Sequence, residues 1–373
     1  MKIEIKKNAD NVKLLKQMAD KNLLKAMEAR EAFAAFITQP ILEVIESAPV
    51  IQSLFDTWSY DYGTPPSIPL AALFDIRTQD FVRVWAQSKA GGLATSQNLD
   101  VSELMVMPYS LTSAVSFPLD YVRAARIDVV SSYLQRMAQE FLYKQEANSF
   151  AVLAASVMQG TYQNKGTTTR QVIRSNSQGT VVPQDISALI RLMARINSSW
   201  IGGTPAGATR AITTLVGSPE FLEQIRNMAF EPLNTTLRAT YPLGGPESFR
   251  SEIYSAGGEA SIYGMELMSV YDMGQGYPYN IVAGTYAGST TYPGYAAGAA
   301  VVFSPGSEQL VIGCDRRRPY LARLVETDPD TGATLSVQSD NQWSNRAENI
   351  GFFAKLKEGR VALDARNVCA LVY

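Results

Sequence analysis

Apolar residues recur at intervals of three and four in two stretches of the chain, and these predict its main helices. Within 1–50, after a short extended start, Leu23, Leu24, Met27, Phe33, Phe36, Ile37 and Ile41 fall near helical spacing. Pro40 is expected to bend or end that helix, and Pro49 to limit the next. The longest helical signal covers 124–159. Val130, Leu134, Met137 and Phe141 lie three or four apart, Tyr133 shares their rows, and neither Pro nor Gly occurs from Val122 to Gln159. About 33 helical residues would span about 50 Å, a beam longer than an ordinary globular helix.

Other segments read as strands. Gly63, Pro65, Pro66 and Pro69 punctuate 58–70. A candidate strand follows at Leu73–Gln87, with Phe81, Val82, Val84 and Trp85. A second runs over Glu103–Phe117, with Leu104, Val106, Tyr109, Leu111 and Val115. Lys89-Ala90-Gly91-Gly92 forms a flexible tip between them. Such an extended hairpin buries little within its own chain and is expected to be covered by another subunit. Residues 160–183 lack carboxylates but carry Lys165, Arg170 and Arg174, and read as an exposed loop or small hairpin. Helices are expected at Asp185–Ile196 and Pro219–Met228, N-capped by Asp185 and Ser218, with Glu220 in the first turn of the second. Ala211–Val216 reads as a strand between them. Together with the apolar run Ser261–Val270, this order indicates a mixed α/β region. Further strands are expected at Ala300–Phe303, Leu310–Ile312, Tyr320–Val325, Ala333–Val337, Asn349–Lys357 and Val368–Val372. Phe352–Lys355 leads into a turn at Gly359-Arg360, and Arg360–Asp364 continues the last sheet.

Composition changes the picture at 267–307. Its single charged residue is Asp272, and it holds Tyr271, Tyr277, Tyr279, Tyr286, Tyr292 and Tyr295 among many glycines. An uncharged aromatic segment suits an interface centre, so an ordered loop held between subunits is expected. A lid over the chain's own core is the competing reading. Across all 373 residues, 33 Lys+Arg against 35 Asp+Glu leave a net charge of -2. That is no global basic field, and it leaves little repulsion between copies. Lys2, Lys6, Lys7, Lys13, Lys16, Lys21, Lys25 and Arg30 outnumber the carboxylates of their segment. They read equally as a solvated helix face or as a basic arm that meets a partner or enclosed nucleic acid. No apolar run of about 18 residues predicts a membrane span. Residues 1–20 lack a signal core, so a soluble intracellular site of synthesis is expected.

The chain contains no histidine. This removes Ser-His-Asp and Cys-His catalysis, histidine-bearing zinc sites and the imidazole pH switch. Cys314 and Cys369 form no CxxC unit. They have the option of pairing, but read better as two small apolar residues. Gly202-Gly203-Thr204-Pro205 lacks dinucleotide-binding spacing. Asp328, Asp330 and Gly332 start like a calcium loop without its remaining ligands, and a turn accounts for them better. Arg316, Arg317 and Arg318 beside Asp315 are expected in salt bridges, across a subunit boundary in the sharper reading. No catalytic, cofactor-binding or metal-ligating residue is assigned, and no cofactor is expected.

The order of parts resembles the HK97-like fold of the major capsid proteins of tailed bacteriophages, the Caudoviricetes. Glu103–Met158 carries the resemblance furthest, with Ser110–Tyr121 leading a strand into the long helix. Val181–Ile186 is similar to the opening of the family's A-domain, Ser261–Leu267 to its Tyr-Gly-then-strand passage, and Phe352–Lys355 with Arg360–Asp364 to its closing P-domain strands. The resemblance covers nearly the whole chain and implies an α+β fold. Its parts would be an N-terminal arm (1–58), an extended β-hairpin or E-loop (59–108), a peripheral or P-domain (109–184 and 320–373) containing a spine helix at 124–159, and an axial or A-domain (185–319). The Gly/Tyr-rich loop 267–307 has no obvious family counterpart.

The resemblance further implies a non-enzymatic protein, made in the host bacterial cytoplasm and located in the virion capsid. Pentamers and hexamers would close an icosahedral shell around double-stranded DNA, bound without sequence specificity. A portal, a separate scaffolding protein and a decoration protein are the implied partners, with no membrane. Candidate intersubunit contacts are Phe81, Trp85, Lys89, Tyr277, Tyr279, Tyr286, Tyr292, Arg316, Arg317 and Arg318. Candidate basic residues facing DNA or a partner are Lys6, Lys7, Lys13, Lys165, Arg170 and Arg174. Lys89 sits where some members place a crosslinking lysine, but no asparagine partner is matched. The alternatives are an encapsulin-like shell around a cargo enzyme and a histidine-free hydrolase built on paired carboxylates.

Overall fold

A computed structural model describes residues 9–20, 22–47, 49–64, 66–69, 103–164, 167–175, 179–198, 211–230, 261–287, 303–317, 321–328, 333–340, 348–363 and 365–373. The expected strand at Leu73–Gln87, the Lys89 tip, the dipeptide Gly202-Gly203, the residues 300–302 and the pair Asp330 and Gly332 lie outside these.

Helices α1 (Ala9–Met18) and α2 (Leu23–Ser47) open the described chain. Pro40 does not end α2, which runs on to Ser47. A mid-helix proline removes one backbone hydrogen bond, but Phe33, Ile37, Ile41, Val44 and Ile45 are all buried on one face and hold the helix to its path. That face is narrower than the sequence spacing suggests. Leu23, Leu24 and Phe36 are 61%, 73% and 44% exposed, so they are surface positions rather than core.

A 3-10 turn (Ile51–Leu54) leads to β1 (Asp56–Asp61) and β2 (Ser67–Pro69). The expected strand Glu103–Phe117 is two elements. β3 (Glu103–Met105) pairs back on β2, while β4 (Tyr109–Pro118) enters a different sheet. A short helix, α3 (Leu119–Arg123), precedes the long helix α4 (Ile127–Gln159), which has 33 residues. The long helix therefore starts at 127, not 124. Ala125 adopts a left-handed φ of 49°, and the Arg126 N–H bonds to the Tyr121 carbonyl, which breaks the helical path between α3 and α4. At the other end, Gly160 donates to the Ser156 carbonyl. A Cβ there would lie 2.6 Å from that oxygen and 2.4 Å from Gln171 Oε1, so only glycine closes this helix without displacement.

The remaining elements are β5 (Thr161–Asn164), β6 (Thr167–Arg170), β7 (Val172–Arg174), α5 (Pro183–Ser198), β8 (Thr214–Gly217), α6 (Pro219–Phe230), β9 (Ser261–Ile262), β10 (Met265–Ser269), α7 (Pro278–Ala287), β11 (Leu310–Cys314), β12 (Leu321–Thr327), β13 (Leu335–Asp340), β14 (Asn349–Ala362) and β15 (Val368–Val372). Ser218 caps α6 as expected, its Oγ accepting the Phe221 N–H at 3.2 Å. Asp185 is not a cap. It lies inside α5, and its carboxylate reaches back to accept from Val182 N at 3.1 Å and Ser175 Oγ at 2.8 Å.

Two sheets organise the chain. The first has five strands in the order β1-β12-β14-β13, with β4 also paired along β14. Gly359 makes no turn, because β14 runs unbroken from 349 to 362. A Cβ at 359 would come within 3.0 Å of Val106 Cγ1, so the glycine serves close packing. The second sheet has six strands in the order β7-β15-β11-β8-β10-β9. β15 therefore leaves its sequence neighbours and fills a position inside this second sheet.

α4 joins the two sheets. Val130, Leu134, Met137 and Phe141 pack in a core with α2 and the five-stranded sheet. Phe150, Leu153, Ala154, Val157 and Met158 pack with α7 and one face of the six-stranded sheet. The opposite face of that sheet packs against α5 and α6. Cys314 belongs to one of these cores and Cys369 to the other, so their side chains lie on opposite faces and do not pair. Among the described residues no helix is long and apolar enough to cross a membrane.

Candidate functional site

A buried polar cluster locks the junction of the long helix, the five-stranded sheet and the 3-10 turn. Glu358 on β14 is fully buried. Its carboxylate accepts from Arg323 Nε at 3.0 Å, Arg360 Nε at 3.2 Å, Tyr109 Oη at 3.0 Å and Gln145 Nε2 at 3.3 Å. Arg360 also donates to Gln52 Oε1 at 3.1 Å and lies over the Phe55 ring. Asn148 donates to the Tyr109 hydroxyl at 3.1 Å. Burial, with Glu358 adding to it, pushes the Tyr109 phenol up to about 12. Burial pulls the Arg323 guanidinium down, and Glu358 opposes that shift. The cluster bonds elements far apart in sequence, and two guanidiniums on one carboxylate suit a fixed joint rather than a proton-transfer site. Sequence reading missed it, although a signal was present. Phe352, Ala354, Leu356, Glu358 and Arg360 share one parity of β14, which places two charges on the apolar inward face.

Glu146, next to Gln145 and two residues before Asn148 on α4, accepts the N–H groups of Val50, Ile51 and Gln52 at 2.9, 2.8 and 3.3 Å. It thereby caps the 3-10 turn. Burial raises its pKa above the ordinary 4.5 despite these three donors. The folded chain thus holds this proton more tightly than the unfolded one, and the contribution of Glu146 to stability falls as pH rises from 4.5 through the folded pKa. Glu146→Gln is expected to remove that decline. Urea midpoints of the two proteins measured from pH 4.5 to neutrality test it; parallel profiles would rule it out.

The Gly/Tyr-rich span is partly a lid on the chain's own core. It contains α7, whose Tyr279 is 4% exposed and stacks on Phe150 with centroids 4.3 Å apart. Tyr279 is therefore corrected from a subunit contact to a core residue, its hydroxyl pKa raised by burial. Tyr286 packs partly against the same core. The outward side differs. Tyr277 and Ile281, one turn apart, are 47% and 53% exposed, and Tyr271 is 81% exposed. All three are exposed apolar side chains.

The arginine turn also engages one of its charges within the chain. Arg316 donates to the Ser53 carbonyl at 3.0 Å and lies 3.6 Å from Glu266. Arg317 is exposed, and its backbone N–H is held by Asp315 at 3.1 Å. Arg170 donates to the Gln159 carbonyl at 2.8 Å, at the negative end of α4. Arg174 pairs with the buried Glu308. Arg316, Arg170 and Arg174 are thus engaged locally, whereas Arg317 and Lys13 stand exposed. Phe81, Trp85, Lys89, Tyr292, Arg318, Lys6, Lys7 and Lys165 lie outside the described residues. Among the described residues no group of acids or cysteines is arranged to hold a metal ion.

No family model matches the sequence, and no curated protein matches it. Solved structures do. The capsid of cyanophage P-SCSP1u superposes with a TM-score of 0.52 at 12% identity, covering 87% of this chain and 88% of that one.

The chain has the HK97-like fold.

A gene transfer agent ("native GTA particle") capsid (TM-score 0.48, 12% identity, 87% and 89% coverage) and the SrpI encapsulin of Synechococcus elongatus PCC 7942 (0.44, 9%, 86% and 85%) are also similar. In the terms of the HK97-like fold, α4 is the long spine helix. The Glu358 cluster then lies where the spine, the 3-10 turn and the five-stranded sheet meet. The exposed Tyr277 and Ile281 lie beside the α7 segment that docks on the other end of the spine.

Proposed function

We propose that the chain is a major capsid protein whose copies assemble as pentamers and hexamers into an icosahedral shell around phage double-stranded DNA. The observation that supports this reading is the likeness to the cyanophage capsid across 87% of the chain, an argument by fold analogy. The exposed apolar positions fit it. Tyr271, Tyr277, Ile281, Leu24 and Met107 are surface residues that a neighbour would cover. The protein would act mechanically, through many modest contacts per copy that add cooperatively, and would reside in the virion. Portal, scaffold and decoration proteins are the partners such a shell calls for, and Lys13 is a candidate for contact with DNA or a partner.

Electron microscopy of native particles or of purified chain with its scaffold tests the reading. Closed shells or capsomers are expected; a monomer or dimer under all conditions would overturn it. DNA content separates a phage capsid from a cargo-loaded compartment. The double substitution Tyr277→Asp with Ile281→Asp is expected to lower shell yield about ten-fold or more. The melting temperature of the unassembled subunit should change little, because both side chains are about half exposed.

A further inference from the structure

Within the Glu358 cluster, two buried polar atoms have no partner among the described residues. One is a donor, Nη1 of Arg360, and the other an acceptor, Oε1 of Gln145. Neither group is at liberty to turn. The Arg360 guanidinium is pinned by Nε, which donates to Glu358 Oε1 at 3.2 Å, and by Nη2, which donates to Glu358 Oε2 and Gln52 Oε1, both at 3.1 Å. The Gln145 amide is fixed by Nε2, which donates to Glu358 Oε2 at 3.3 Å. Turning that amide over would set its oxygen against the carboxylate, acceptor to acceptor. Both side chains are closed off from bulk solvent, since Gln145 is fully buried and the Arg360 side chain is 1% exposed.

The two atoms are neighbours, because the groups that carry them bond to one oxygen, Glu358 Oε2. They sit beside a polar interval of α4, between Phe141 of one apolar core and Phe150 of the other. A buried donor or acceptor left unpaired is costly, and folded interiors pair almost all of them, with ordered water where side chains do not reach. The mixture of partners selects the species. A chloride ion suits Arg360 Nη1 but is repelled by the Gln145 oxygen and the Glu358 carboxylate. A metal cation suits those oxygens but is repelled by the guanidiniums of Arg323 and Arg360. Water both accepts and donates. We infer that a buried water molecule is bound between Arg360 Nη1 and Gln145 Oε1, accepting an N–H from the first and donating an O–H to the second. It joins β14 to α4 a second time, beside the direct bond from Gln145 to Glu358. The site belongs to the folded subunit and does not depend on the shell reading.

A density map of the folded chain, at a resolution that shows buried waters elsewhere in the molecule, tests it. One isolated peak is expected within about 2.7–3.2 Å of both Arg360 Nη1 and Gln145 Oε1. The peak should be the same with chloride or with acetate as the only anion in the buffer. A map that shows other buried waters and none here overturns the inference, and so does a peak that appears only with chloride. Gln145→Met keeps the length of the side chain and removes both polar atoms. It is expected to lose the peak while the Arg360 guanidinium stays on Glu358 and Gln52. A peak unchanged in this variant overturns the assignment to Gln145. The unmodified chain decides the matter even where the variant fails to fold.

Discussion

Glu358→Ala is expected to destabilise the folded subunit by about 3–5 kcal/mol. The substitution leaves Arg323 and Arg360 buried without their shared carboxylate, and an uncompensated buried charge costs far more than the pair contributes. It also strands the Tyr109 hydroxyl and the Gln145 amide, which both donate to Glu358. Glu358→Gln keeps one acceptor oxygen and is expected to lose less. Urea unfolding of the unassembled subunit measures both. A loss below about 1 kcal/mol for the alanine variant, the range of a surface ion pair, would show that the cluster is not the joint described above. Because the cluster ties β4, α4 and β14 together, its loss should also loosen the adjoining β3, read as faster amide exchange at Glu103–Met105.

The second large effect is expected at the opposite end of the spine. Phe150→Ala should cost about 3–5 kcal/mol, the range for a phenylalanine removed from a packed core. Phe150 is fully buried and its ring lies nearly parallel to that of Tyr279, 9° from coplanar. The cavity would open between α4 and α7, so amide protection in Pro278–Ala287 should fall more than in α5. An unchanged α7 would mean that the helix is held by contacts other than this stack.

The spine was legible in the sequence because a long apolar stripe without Pro or Gly permits little else. Its start was not. The left-handed Ala125 sits in an ordinary Arg-Ala-Ala-Arg stretch, and the break follows from how β4 delivers α3. Pro40 does not end α2 for the related reason that tertiary burial of Ile37 and Ile41 outweighs one lost hydrogen bond. The exposed Tyr277 and the buried Tyr279 are two residues apart in one uncharged run, and composition does not separate them. Only the docking of α7 on Phe150 does so. Arg170, Arg174 and Arg316 read as outward charges because their partners, Gln159, Glu308 and Ser53, are distant in sequence or are backbone carbonyls. Glu358 and Arg360 were the missed opportunity, since strand parity alone puts both inside.

The strand orders carry a consequence for the timing of folding. In the five-stranded sheet, Asp56 pairs with Ala322, and in the six-stranded sheet Val172 pairs with Ala370. Neither sheet is complete until residues beyond 320 have left the ribosome, and β15 must then settle between strands β7 and β11. Such high contact order makes folding late and slow. A nascent chain would therefore complete neither sheet before its last strand is made, and under the proposed shell function association would begin from released chains.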